Sequence, residues 1–89
     1  MSREAFVNGE YTEYINSKVH IEDRGYQFAD GVYEVCAVHN TRPIDEDAHL
    51  DRLERSLAEL GIAAPMSRAA MKIVVRETLA RNRIRNGIV

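Results

Sequence analysis

The chain has 89 residues, a formal net charge of −2, 45% hydrophobic residues and 29% charged residues, a composition typical of one globular domain. No apolar run approaches the roughly 20 residues that a membrane helix needs, and the first residues do not resemble the apolar core of a signal peptide. The single cysteine, Cys36, excludes an internal disulfide and a cysteine-rich metal site. We therefore expect a cytoplasmic protein that binds no metal, membrane or nucleic acid.

Charge is distributed unevenly along the chain. Residues 1–66 carry six basic and thirteen acidic side chains, whereas residues 67–89 carry six basic side chains and one acidic side chain. Because no aromatic residue interleaves the basic run, a solvated helix face with cations near its C-terminus is favoured over a surface for phosphate or an acidic partner. The basic residues of this run are Arg68, Lys72, Arg76, Arg81, Arg83 and Arg85.

The first 44 residues predict strands and turns. Asn8-Gly9 lies between two runs of β-forming residues and predicts a hairpin with a type I′ turn. A short extended piece over 18–21 precedes a compact turn or single helical turn over 22–31. Residues 32–39 predict the best strand, which Asn40-Thr41 turns back into 42–44.

Alternation along the strand at 32–39 predicts its two faces. One face carries Tyr33, Val35, Ala37 and His39, and the other carries Val32, Glu34, Cys36 and Val38.

The rest of the chain predicts two helices. Asp45 is a candidate N-cap for a first helix that Gly61 ends, with Asp51 and Arg55 as an i,i+4 ion pair. Ser67 is the N-cap candidate of a second helix that ends near Asn82. The apolar stripes are Leu50, Leu53, Leu57 and Leu60 on the first helix, and Met71, Val74, Val75, Thr78 and Leu79 on the second. Residues 86–89 predict a last extended piece, so we expect an α+β domain that continues into a longer protein.

His49, Arg52 and Ser56 share one face of the first helix, beside the leucine stripe. A guanidinium at the edge of a buried surface needs an anionic partner. A nearby carboxylate such as Asp30 or Glu34 would supply that partner without any functional role.

Two segments carry a resemblance to a known family. The run from Asp23 to Val35, with the sequence DRGYQFADGVYEV, and the run HLDRL at 49–53 resemble the class IV pyridoxal-phosphate aminotransferases. The resemblance covers essentially the whole chain and is strongest to the D-amino-acid (D-alanine) transaminases. It implies that residues 1–89 form the small N-terminal domain of such an enzyme, with an antiparallel sheet and two helices packed on it.

The resemblance also implies roles for particular residues. Arg52 matches the position that holds the phosphate of pyridoxal 5′-phosphate, and a planar fork of donors suits phosphate oxygens. Tyr33 matches a position that contacts the substrate, whereas Glu34 and His49 match positions near the pocket.

The implied activity is transfer of the amino group of a D-amino acid, such as D-alanine, to a 2-oxo acid, such as 2-oxoglutarate, by a homodimer. The alternatives that stay open are aminodeoxychorismate lyase or branched-chain aminotransferase activity on the same fold, and a non-catalytic domain that serves only for association. Neither Lys18 nor Lys72 matches the position of the lysine that carries the cofactor, which the resemblance implies lies beyond Val89. The 89 residues alone are therefore expected to be inactive.

One position departs from the family pattern. Ala29 stands where the family usually has glycine. If this position requires a positive φ, alanine destabilises the turn by roughly 1 kcal/mol.

Overall fold

The computed structural model describes residues 3–89 as an α+β fold with three helices and two small antiparallel sheets. The strands are β1 (Glu4–Val7), β2 (Glu10–Glu13), β3 (Ala37–His39), β4 (Arg42–Pro43) and β5 (Gly87–Ile88). The helices are α1 (Arg24–Phe28), α2 (Glu46–Leu60) and α3 (Arg68–Arg81), and a 3₁₀ turn covers Tyr14–Asn16. The predicted α+β class is confirmed, although the sheet is divided in two.

β1 and β2 form the predicted hairpin. Asn8 and Gly9 both adopt positive φ, 50° and 85°, as a type I′ turn requires. The hairpin is fastened to the end of α3 by Asn82, whose side-chain amide accepts from the Glu4 N–H at 2.8 Å and donates to the Glu4 carbonyl at 2.9 Å. The Arg81 guanidinium lies 4.2 Å from the centre of the Tyr11 ring.

The segment from Ser17 to Val35 contains the short helix α1 and no strand. Asp23 caps α1 by accepting from the Gly25 and Tyr26 N–H groups. Ala29 ends the helix at φ 59°, so this alanine does occupy the left-handed conformation. The predicted extended piece at 18–21 pairs with no strand of the described chain.

The predicted strand at 32–39 is longer than the observed one. Only Ala37–His39 forms β3, because no strand of residues 3–89 lies beside 32–35 to accept a ladder. The predicted alternation nevertheless holds from 32 to 39, with Glu34 and Cys36 turned inward and Tyr33 and Val35 exposed. The alternation typical of an extended backbone thus covers more residues than the pairing in the sheet does.

β3 is the central strand of a three-stranded antiparallel sheet in the order β4-β3-β5. The turn from β3 to β4 and the last extended piece were both predicted correctly. Backbone hydrogen bonds in both directions between Cys36 and Val89, 2.7 and 2.9 Å, continue this pairing by one residue.

α2 begins after Asp45, but Asp45 is not the side-chain cap that the sequence predicts. Its φ of 55° is left-handed, and its carboxylate makes no capping hydrogen bond. A capping side chain normally reaches the next turn from an extended backbone. α2 ends at Gly61 as predicted, yet Leu60, the last leucine of the predicted stripe, is 53% exposed.

α3 begins at Ser67, whose hydroxyl accepts from the Ala70 N–H at 3.1 Å, as predicted. Ion pairs then join α3 to α2. Arg68 Nη2 lies 2.6 Å from Asp51, and Lys72 Nζ lies 2.7 Å from Asp47. The predicted Asp51–Arg55 pair is wrong, because Asp51 faces α3. The prediction of a solvated Lys72 is also wrong, since its side chain is 27% exposed.

The hydrophobic core is small. Its buried apolar side chains, within residues 3–89, are Cys36, Val38, Leu50, Leu57 and Leu79. The accessible surface of 6922 Å² exceeds the roughly 5,300 Å² typical of a compact protein of this mass. In the described part of the chain, no helix has the length and apolarity to cross a membrane.

Candidate functional site

A three-residue cluster of Glu34, His49 and Arg52 joins the inward face of segment 32–36 to α2. The Glu34 carboxylate accepts from His49 Nδ1 at 2.6 Å and from Arg52 Nε at 2.9 Å, and it also contacts Arg52 Nη2. Two guanidinium nitrogens thus face one carboxylate, which is the geometry of a bidentate pair. We call these three residues the Glu34 cluster.

The local sequence explains why the cluster forms. His49 and Arg52 are three positions apart, so they lie on one face of α2. Glu34 lies on the inward side of its segment, and only 12% of its side chain is exposed. A carboxylate in this position needs cationic or polar partners, and α2 supplies both of them.

The charge state of the cluster follows from its hydrogen bonds. Those from Arg52 and then His49 lower the pKa of Glu34 from 4.5 to about 2, and Glu34 in turn raises the pKa of Arg52. Glu34 is therefore ionised at neutral pH and can only accept hydrogen bonds. It follows that Nδ1 of His49 carries a proton, which leaves Nε2 as an acceptor whenever the ring is neutral.

Arg52 keeps donors that the cluster does not use. Its Nη1 makes no hydrogen bond within residues 3–89, and its side chain is 57% exposed. Of the two carboxylates that the sequence offered as partners, Glu34 is the one that binds Arg52. Asp30 pairs with Arg24 at 2.6 Å. Arg52 can therefore bind Glu34 and still donate to a second anion.

Tyr33 lies on the outward side of the same segment and is 85% exposed. Its hydroxyl has no hydrogen-bond partner in the described chain. Tyr33 and Glu34 are neighbours in sequence, but they lie on opposite sides of the segment. Within residues 3–89, no contact joins the Tyr33 hydroxyl to the Glu34 cluster.

A cavity of about 240 Å³ lies beside the cluster. Tyr33, Glu34 and His49 contribute to its lining, together with Cys36 and Glu46, whereas Arg52 does not. Burial raises the pKa of the Cys36 thiol, whose Sγ donates to the Ile44 carbonyl at 3.0 Å. No group of three metal-ligating side chains is close enough to hold a metal ion in residues 3–89.

Glu46 is the lining residue that sequence reasoning missed. Its Oε2 is buried and has no hydrogen-bond partner in the described chain, while Oε1 lies 3.6 Å from Arg76. The spacing of Glu46 and His49, three residues apart on a helix, was the available signal.

Comparison with known proteins places this arrangement in a family. The sequence model of the class IV amino-transferase family matches residues 31–89, which contain the whole Glu34 cluster. The chain belongs to this family.

Individual relatives extend the similarity toward the N-terminus. A D-alanine aminotransferase of Listeria monocytogenes serotype 4b is 39% identical over 83 residues, 93% of this chain and 29% of that protein. A D-alanine aminotransferase of Bacillus licheniformis is 44% identical over 80 residues, 90% of this chain and 28% of that protein. One of Staphylococcus haemolyticus is 37% identical over 82 residues, 92% of this chain and 29% of that protein. The chain thus spans less than a third of the length of these curated relatives.

Proposed function

We propose that the protein carrying this chain is a cytoplasmic pyridoxal-phosphate aminotransferase that moves the amino group of D-alanine to 2-oxoglutarate. The family membership and the D-alanine aminotransferase relatives support the reaction. The observation that carries the role of this chain is the unused Nη1 of Arg52, on a side chain held by the Glu34 carboxylate.

Arg52 fits the phosphate of the cofactor. Pairing with Glu34 fixes the plane of the guanidinium, so less side-chain freedom is lost when a second anion binds. The same pairing offsets the positive charge of Arg52 and lowers its attraction for phosphate. In this proposal Arg52 binds phosphate, whereas Glu34 and His49 position Arg52.

Tyr33 fits the substrate. Its exposed phenol is a neutral donor without a partner in residues 3–89, which suits the carboxylate of an amino acid. The adjacent cavity, lined on one side by apolar residues of α2 and α3, would accept a small side chain such as the methyl group of alanine. When bound, pyridoxal phosphate supplies the electron sink for amino transfer. The cofactor-carrying lysine is proposed to lie outside residues 1–89.

A homodimer fits the surface of the chain. The segment before β3 carries several large apolar side chains that are exposed to solvent, and an apolar surface of this kind marks an association site. Its most exposed members are Ile15, Ile21, Tyr26, Phe28 and Tyr33. The other part of the protein and a second subunit are the two surfaces proposed to cover them.

Purified full-length protein, supplied with pyridoxal phosphate, tests the reaction. We expect pyruvate to form from D-alanine beyond one equivalent per bound cofactor only when 2-oxoglutarate is present, and L-alanine to be a poor donor. Transamination of branched-chain L-amino acids, or pyruvate release from aminodeoxychorismate without a 2-oxo acid, would instead support the other activities known on this fold. The isolated 89 residues should show no turnover.

A further inference from the structure

A groove of about 820 Å³ lies between β4, the C-terminal half of α3 and the residues that follow α3. Four arginines line it, and no acidic residue does. The apolar part of the lining comes from Pro43, Leu79, Ala80 and Ile84. We call this feature the arginine groove, and its arginines are Arg42, Arg76, Arg83 and Arg85.

The basic run near the C-terminus divides into two groups in the structure. Arg68, Lys72 and Arg81 bind carboxylates of α2, β1 or α3, so the fold accounts for them. In contrast, Arg83 and Arg85 have no carboxylate within 4 Å among residues 3–89, and the same holds for Arg42. Arg76 reaches one carboxylate oxygen, at 3.6 Å from Glu46. The arginine groove therefore concentrates positive charge that the described chain does not neutralise.

Backbone geometry holds these side chains at the groove. Arg83 follows α3 with φ 54°, a left-handed position where glycine is usual, while Ile84 N–H donates to the Leu79 carbonyl at 3.0 Å. The Thr41 N–H donates to the Arg85 carbonyl at 2.8 Å, which ties the β3–β4 turn to the segment after α3. A strained backbone beside three cations that have no carboxylate partner in residues 3–89 is a reason to look for a ligand.

We propose that the arginine groove binds a ligand that carries a diphosphate group. Guanidinium forks match phosphate oxygens, and several arginines can share the two linked phosphates of a diphosphate. The apolar lining and the volume suit an organic body attached to it, because small-molecule sites commonly measure about 300–1,000 Å³. This site is separate from the Glu34 cluster and does not depend on the proposed aminotransferase activity.

Calorimetric titration of the full-length protein with inorganic pyrophosphate and with ADP tests the proposal. Saturable 1:1 binding is expected for both. Tighter binding of ADP would show that the apolar lining is used, whereas equal affinities would show that the diphosphate alone is recognised. Absence of binding by both ligands would overturn the proposal. So would competition by pyridoxal phosphate that disappears in Arg52→Ala, because pyrophosphate would then occupy the other site.

Arg83→Gly and Ala29→Gly form a matched pair of variants. Each replaces a left-handed residue by glycine, so both should fold at least as stably as the wild type. Of these two variants, Arg83→Gly alone should weaken pyrophosphate binding, by about tenfold, since one charge-assisted contact disappears. Arg85→Ala should weaken binding comparably and provides a second variant. Wild-type affinity in both Arg83→Gly and Arg85→Ala would contradict the proposal.

Discussion

The segment from Ser17 to Tyr33 and the helical pair α2–α3 are held in place by different kinds of contact. In the segment, hydrogen bonds within residues 3–89 connect positions no more than six apart, such as Arg24 to Asp30 and Gln27 to Ile21. The helical pair instead combines buried leucines with ion pairs between residues far apart in sequence. Short-range contacts therefore shape the segment, whereas long-range packing shapes the helical pair.

This difference bears on both stability and the proposed function. The helical pair contains most of the core and presents Arg52 from α2. The segment carries large exposed apolar side chains and ends at the exposed Tyr33, which in the proposed function contacts the substrate. Glu34 joins the two regions through the bidentate contact to Arg52.

Truncation of a core leucine should have the largest effect on stability. Leu57→Ala should lower the free energy of unfolding by about 2–5 kcal/mol, because it removes buried methyl groups and leaves a cavity. Leu60→Ala, three residues later on the same helix, should cost under about 1 kcal/mol, since Leu60 is half exposed. Urea denaturation of both variants makes the comparison, and equal losses would contradict the assigned core.

A glycine at the end of α1 should have a smaller effect of opposite sign. Ala29→Gly should raise the free energy of unfolding by about 1 kcal/mol, because alanine at φ 59° is strained and glycine is not. If the segment unfolds locally before the helical pair, the gain will appear as slower hydrogen exchange of the α1 amides rather than as a higher global stability. An Ala29→Gly protein less stable in both measurements would contradict the left-handed assignment.

Acid should weaken the contact between the two regions. The folded-state pKa of Glu34, about 2, lies below its ordinary value of 4.5, so its stabilising contribution is complete above pH 4.5 and is lost as the pH falls toward 2. Glu34→Gln should therefore be less stable than the wild type at pH 7, and the difference should shrink between pH 4.5 and 2. Melting temperatures across this range test it; a difference independent of pH would mean that the carboxylate charge is not what Arg52 and His49 recognise.

Removal of the Tyr33 hydroxyl should have the smallest effect on stability. Tyr33→Phe should change the free energy of unfolding by no more than about 0.5 kcal/mol, because the exposed hydroxyl has no partner in the described chain. In the full-length protein it should raise KM for D-alanine more than it weakens cofactor binding. A loss of cofactor affinity larger than the rise in KM would contradict the assignment of Tyr33 to the substrate.

Much of the fold could be predicted from local sequence signals. Asn8-Gly9, Ser67 and Gly61 each specify a backbone conformation by their own chemistry, and the hairpin and the helix ends are where those residues indicate. The alternation that turned Glu34 inward and Tyr33 outward is likewise a local property.

Apart from the Asp45 cap, which fails because its own backbone is left-handed, the errors concern partners that are distant in sequence. Asp51 pairs with Arg68 on α3 instead of Arg55 on its own helix, and among residues 3–89 no strand lies beside 32–35 to complete its ladder. The choice of Glu34 over Asp30 as the partner of Arg52 also depended on tertiary structure. Spacing along one element cannot reveal contacts between elements.

In the proposed function, Arg52 binds the phosphate of the cofactor while it remains paired with Glu34. Titration of full-length apoprotein with pyridoxal phosphate tests it directly in Arg52→Ala, with Arg55→Ala as the matched control because Arg55 lies on the same helix and makes no ion pair in residues 3–89. We predict that Arg52→Ala weakens cofactor affinity about ten- to a hundredfold, the effect of one lost charge-assisted contact, and that Arg55→Ala leaves it unchanged. Unchanged affinity in Arg52→Ala, together with a lower apoprotein melting temperature, would show that Arg52 serves only to pair with Glu34.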